Sequence, residues 1–165
     1  MDGILEKLDS YNILTNLLPG AFFLVGLRLL VGLELPAKSV AEEIVLYYFV
    51  GLVISRIGSL VTEPLLKKVR WLEFAPHPDF IAASRLNPKI NVLSEMNDHY
   101  RSLLTATVCI PAVWGAKLLT ESCPFFAENW KWFLVLGVGV LFLFSYRKQT
   151  AYVRKHVEKA LKPKA

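Results

Sequence analysis

Apolar residues gather into four blocks, at 18–35, 44–61, 103–119 and 132–145, and polar connections separate them. Counted with interfacial residues, each block is about as long as a helix needs to cross the ~30 Å hydrocarbon layer of a bilayer. Lipid offers backbone N–H and C=O groups no partners, so such blocks must be helical. The pattern therefore predicts an all-α fold, an integral membrane four-helix bundle with a helical cytoplasmic extension. Four spans and their flanks use nearly all of the 165 residues. They leave no room for a separate soluble domain of ordinary size, so residues 1–165 read as a single membrane domain.

Between the blocks the pattern remains helical. Ile4, Leu8 and Tyr11 fall at helical spacing, with Leu5 beside them and Leu14 continuing the stripe, which predicts a short amphipathic helix before the first span. The first span opens at Asn16-Leu17-Leu18-Pro19-Gly20. Proline suits a first turn, and Thr15 or Asn16 could cap it. This predicts a break between surface helix and span; the alternative is one helix bent at Pro19. The second helix is expected to continue over 63–74, with Lys67, Lys68 and Arg70 at headgroup level, until Phe74-Ala75-Pro76-His77-Pro78 breaks it. A short helix over 78–85 comes next. Asn87-Pro88 is a second start signal, for a helix that runs through Glu95, Asp98 and Arg101 into the third span. The tail from Tyr146 continues the fourth helix to Leu161, with Tyr152, Val153 and Val157 on its apolar side.

Composition agrees, with 54% hydrophobic residues and a mean hydropathy of +0.41. The placement of basic residues orients the chain. Connection 34–43 carries one, Lys38, and connection 120–131 carries Lys131, joined by Lys117 if the end of the span is counted. Segment 62–101 carries Lys67, Lys68, Arg70, Arg85, Lys89 and Arg101, and tail 146–165 carries seven. The positive-inside rule puts the last two in the cytoplasm. Both termini are then cytoplasmic, which requires an even number of spans. The acidic Asp2, Glu6 and Asp9 argue against a cleavable signal peptide. Cys109, in a span, and Cys123, in an outer connection, lie at different depths, so no intrachain disulfide is expected. Cys123 is free to pair with its copy in another chain.

Three groups of residues stand out. Arg28 lies about seven residues from the outer end of its span, and Arg56 about six from the inner end of its own, roughly 9–10 Å deep. A cation at the centre of a span costs ~2.5–3.5 kcal/mol. Either both side chains snorkel to opposite interfaces, or they face a polar seam or bind lipid phosphates. Arg56 has Glu63, Glu95 and Asp98 within reach as partners. Gly51, Ser55 and Ser59 form a stripe of small residues at steps of four, extended by Gly58. Such a stripe lets helices approach closely in lipid, within one subunit or between copies.

Candidate chemistry is otherwise sparse. His77, His99 and His156 are isolated, there is no glycine-rich phosphate loop, and no serine has a histidine at matching depth. No catalytic residue, metal or cofactor is expected. Basic residues beside Trp71, Tyr146 and Tyr152 suit anionic lipid headgroups rather than nucleic acid.

Three stretches carry a resemblance: Tyr11 through Leu18-Pro19-Gly20; Tyr47-Tyr48-Phe49-Val50-Gly51 through Ser55-Arg56-Ile57-Gly58-Ser59 to Glu63-Pro64; and Tyr146-Arg147-Lys148-Gln149-Thr150 with Tyr152-Val153-Arg154-Lys155. Together they resemble a family of small, largely uncharacterised bacterial multi-span membrane proteins. Similar small proteins act as membrane-damaging effectors in anti-phage defence. The resemblance has no established catalytic residues to carry over and makes Arg56 part of a motif, Ser-Arg-Ile-Gly-Ser. The function expected is a non-enzymatic inner-membrane protein that oligomerises with its own copies, responds to a cytoplasmic protein partner, and permeabilises the membrane when triggered. The alternatives are an anchor or structural subunit of a larger complex, and a small channel or transporter.

Overall fold

Five helices and no strand make up the described part of the chain, which in this computed structural model comprises residues 15–33, 37, 39–87 and 89–161. They are α1 (Thr15–Val31), α2 (Val40–Lys68), α3 (His77–Leu86), α4 (Lys89–Ser122) and α5 (Pro124–Leu161). The amphipathic helix expected over 1–11 lies outside the described residues, as do Lys38, Pro88 and 162–165. Three helices are long and apolar enough to cross a membrane: α2, α4 and α5. Helix α1 is apolar but shorter.

Local chemistry sets the helix ends. Ser39 caps α2, its Oγ accepting from Glu42 N at 3.3 Å, with Glu42 and Glu43 in the positive first turn. Asn87 Oδ1 accepts from Lys89 N at 3.1 Å at the start of α4, as the Asn-Pro signal predicts. Pro124 opens α5, and the Cys123 carbonyl accepts from Phe126 N and Ala127 N. Helix α5 then runs unbroken through the tail to Leu161, as expected.

Three expectations change. Thr15 and Asn16 are themselves helical, so neither caps a helix starting at Pro19, and α1 passes through Pro19 without a break. Helix α1 ends at Val31 rather than 35, because Gly32 turns left-handed (φ 67°) and Leu33 N donates back to Leu27 O. Helix α2 ends at Lys68 rather than 74. Arg70 is left-handed (φ 56°), and the pair Trp71 N to Leu66 O and Arg70 N to Lys67 O closes the helix. A non-glycine residue costs roughly 1–2 kcal/mol there. Arg70→Gly is therefore expected to raise the melting temperature in detergent by a few degrees, read by differential scanning fluorimetry.

The chain divides into two units at Leu119/Thr120. In the first, Phe23, Leu27 and Val31 form one face of α1, joined by Leu24, and meet Ile54 of α2 and Ala106 and Ile110 of α4. Helices α1 and α2 run antiparallel and touch backbone to backbone. A Cβ on Gly20 would fall on the Tyr47 carbonyl, and one on Gly51 would fall on the Asn16 carbonyl. Lipid supplies no hydrophobic drive between helices, so close van der Waals and Cα–H···O contact of this kind has to hold them. Lys117 of α4 donates to the Val31 carbonyl at 3.3 Å, placing a cation on the negative end of α1.

The second unit is chiefly α5. Phe125 meets Phe126 and Phe133 edge to face near its start, and those two rings lie tilted against each other, beside Trp130 and Trp132. Tyr152 lies twenty residues beyond Trp132, about 30 Å along a helix. Aromatic residues in two belts at this kind of spacing are those that anchor a span at both interfaces. None of the most apolar window of α5 is buried, and only 17% of the corresponding windows of α2 and α4. So large an apolar exterior far exceeds the patches that soluble monomers expose and is compatible with a multi-pass membrane protein.

Candidate functional site

The polar residues of the first unit concentrate where the basic end of α2 meets α4. Glu63 is the hub. Its Oε1 accepts from Lys67 Nζ at 2.6 Å and its Oε2 from Arg101 Nη1 at 2.8 Å. The same guanidinium nitrogen lies 2.8 Å from Asp98 Oδ1. The Glu63 and Arg101 side chains are only 15% and 20% exposed, so their charges are poorly screened and neither is easily left without the other. Below them Ser102 and Thr105 are each 1% exposed. Thr105 Oγ1 lies 2.7 Å from the Arg101 carbonyl and 3.0 Å from Thr62 Oγ1. A hydroxyl has one proton, and the shorter bond claims that of Thr105, so Thr62 donates across the helix contact. Ser102 is satisfied by the Asp98 carbonyl. Arg101 Nε and His99 Nδ1 are buried without a partner.

Gly58 makes this contact possible. A Cβ there would stand 2.9 Å from Thr105 Oγ1 and 3.5 Å from Arg101 Cγ. It also opens a π-helical turn, Gly58–Thr62, within α2. In a straight α-helix Arg56 and Glu63, seven residues apart, would share a face. The extra residue of a π turn rotates the remainder of the helix by roughly 100°. Glu63 thereby faces Arg101, while Arg56 remains on the exposed side of α2. Arg101 takes two of the carboxylates expected to serve Arg56, and among the described residues no ion pair reaches Arg56. Thr105→Val should lower thermal stability by about 1–3 kcal/mol, since it strands the Thr62 hydroxyl in a buried contact. Chemical denaturation in detergent measures it.

The small stripe has an intrachain role at both ends. Gly51 meets α1 and Gly58 meets α4, while Ser55 and Ser59 are half-buried. Arg28, also exposed, lies in a groove with Glu43 of α2. Beside the Glu63 hub a part-open cleft of about 270 Å³ is bounded by Trp71, Phe74 and Tyr100, with Lys67 Nζ 4.0 Å from the centre of the Phe74 ring.

Sequence reasoning singled out Glu63 but passed over Arg101, Thr62, Thr105 and Lys117 as site residues. Depth was the available signal. Thr62 and Glu63 close the apolar block of α2, and Arg101 and Thr105 open that of α4, so the four lie at one level of the α2–α4 pair. Cys109 and Cys123 are free thiols. Among the described residues no group of three or more His, Cys, Asp or Glu side chains is placed to hold a metal ion. No protein-family model matches the chain, and no curated protein or solved structure is significantly similar to it.

Proposed function

We propose that this chain is a non-enzymatic, four-span protein of the bacterial inner membrane, with both termini cytoplasmic, that assembles with its own copies and permeabilises the membrane as a triggered defence effector. The observation that carries the reading is Arg56. It stands about 10 Å along the helix from Glu63, within the apolar part of α2, exposed and without an ion-pair partner. A cation at such a depth is costly against lipid. A polar seam between copies, formed when the assembly opens, removes that cost. The defence context comes from a likeness in size and architecture to small multi-span membrane-damaging effectors, and the Ser-Arg-Ile-Gly-Ser motif is what marks Arg56. Anionic headgroups meet Lys67, Lys68 and Arg70 and the basic tail.

Induced expression with a membrane-potential dye and colony survival tests the proposal, with protein levels checked by blot. Wild-type protein should depolarise cells when triggered. Arg56→Leu should abolish this while still inserting, and Arg56→Lys should restore it in part, because lysine lacks the planar fork. Full activity of the leucine variant removes Arg56 from the site.

One observation favours the second reading, an anchor or structural subunit. Trp71, Phe74 and Tyr100 are exposed around the cleft, on the side the charge rule makes cytoplasmic, where a protein partner could dock. Absence of depolarisation by wild-type protein under any trigger, with stable co-purification of a partner lost on Trp71→Ala, selects that reading.

A further inference from the structure

At the opposite end of α2 from the Glu63 hub, Arg28 and Glu43 line one groove, with Tyr47, Leu24, Val25 and Leu46 forming much of its wall. Arg28 lies one turn before the end of α1 at Val31, and Glu43 one turn after the Ser39 cap of α2. Both therefore sit close to their helix ends. The two charges are opposite in sign and share a groove, yet no ion pair joins them, and neither has another ionic partner among the described residues. Glu43 is half-buried, so part of the residue is shielded from solvent by the groove wall. Arg101 and Glu63 neutralise each other in a direct ion pair, whereas Arg28 and Glu43 line one groove without forming one.

We propose that this groove binds a phosphoethanolamine group, with the phosphate on the Arg28 guanidinium and the ammonium on the Glu43 carboxylate. One compact zwitterion satisfies both charges. A guanidinium presents parallel donors to phosphate oxygens, and a carboxylate accepts the N–H donors of a primary ammonium. Leu24, Val25 and Leu46 continue the groove as an apolar track, which suits the acyl chains of a phospholipid. A purely anionic headgroup would leave Glu43 facing like charge. The inference rests on the membrane-spanning reading but not on the permeabilising activity.

The test reconstitutes the full chain in nanodiscs of equal parts phosphatidylethanolamine and phosphatidylglycerol, then counts lipids retained on release by native mass spectrometry. Wild-type protein should retain the ethanolamine lipid several-fold over the glycerol lipid. Glu43→Gln should bring that ratio to about one while retaining lipid, because only the ammonium partner is lost. Arg28→Gln should lose retained lipid of both kinds. Both residues lie off the core, so size-exclusion profiles should match wild type. Free phosphoethanolamine at millimolar concentration should displace the retained lipid; its binding without any lipid adduct would identify a soluble ligand of the same chemistry. A wild-type ratio near one, or a preference unchanged in both variants, overturns the proposal. Release of wild-type protein from membranes by alkaline carbonate would instead overturn the spanning reading beneath it.

Discussion

Gly51→Leu and Gly20→Leu are each expected to separate α1 from α2 and abolish recovery of a monodisperse protein. At both positions the atom a side chain would strike is a backbone carbonyl of the facing helix, Asn16 O or Tyr47 O. A flexible side chain can move aside; a helix backbone can do so only by shifting the whole helix. Overpacking a core ordinarily costs ~1–3 kcal/mol, and these sites should lie at or above the top of that range. Even Gly51→Ala should be harmful. Gly137→Leu and Gly139→Leu are the controls, since nothing lies within 4 Å of a Cβ built at either. Fluorescence-detected size exclusion and thermal unfolding read the result. Wild-type behaviour of Gly51→Leu would show that the contact between α1 and α2 is not formed.

The second large effect concerns the ionic hub. Glu63→Ala should destabilise the first unit by about 3 kcal/mol, because a mostly buried Arg101 then keeps only the exposed Asp98. Arg101→Leu should cost a similar amount by taking the Arg101 partner from a mostly buried Glu63. The double variant Glu63→Leu, Arg101→Leu should recover much of the loss, since replacing both partners with apolar groups removes the uncompensated charge. Additive losses in the double variant would mean that the two residues act separately. Denaturation midpoints of the four proteins, measured in one detergent, complete the cycle.

These two effects mark where the sequence was informative and where it was not. Apolar blocks, the Asn87-Pro88 start and the run of helix through the basic tail are local signals, and the helices obey them. Helix α2 ends at a left-handed Arg70, and the breaker signals at Pro76 and Pro78 come too late to show it. The π turn over Gly58–Thr62 is equally silent, because its five residues read as ordinary helix. That one turn decides whether Arg56 or Arg101 meets Glu63. The small stripe was legible as a contact surface, but its partners on α1 and α4 depend on tertiary placement that periodicity does not carry. Lys117 looked like one more charge near an outer connection; its role depends on where α1 stops.

The topology turns on whether helix α1 crosses the membrane. That helix is shorter than the three long helices, and with it the number of crossings is even. Single cysteines at positions 2, 38, 88, 123 and 165, in a chain otherwise free of cysteine, can be tested for labelling by a membrane-impermeant maleimide on intact spheroplasts. Four crossings require positions 38 and 123 to label from outside and positions 2, 88 and 165 to label only after lysis. Labelling of position 2 together with 38 and 123 on intact spheroplasts would leave α1 on the outer side, and labelling of 88 and 165 with 2, 38 and 123 protected would leave it on the inner side; either pattern reduces the crossings to α2, α4 and α5 and contradicts the four-span account.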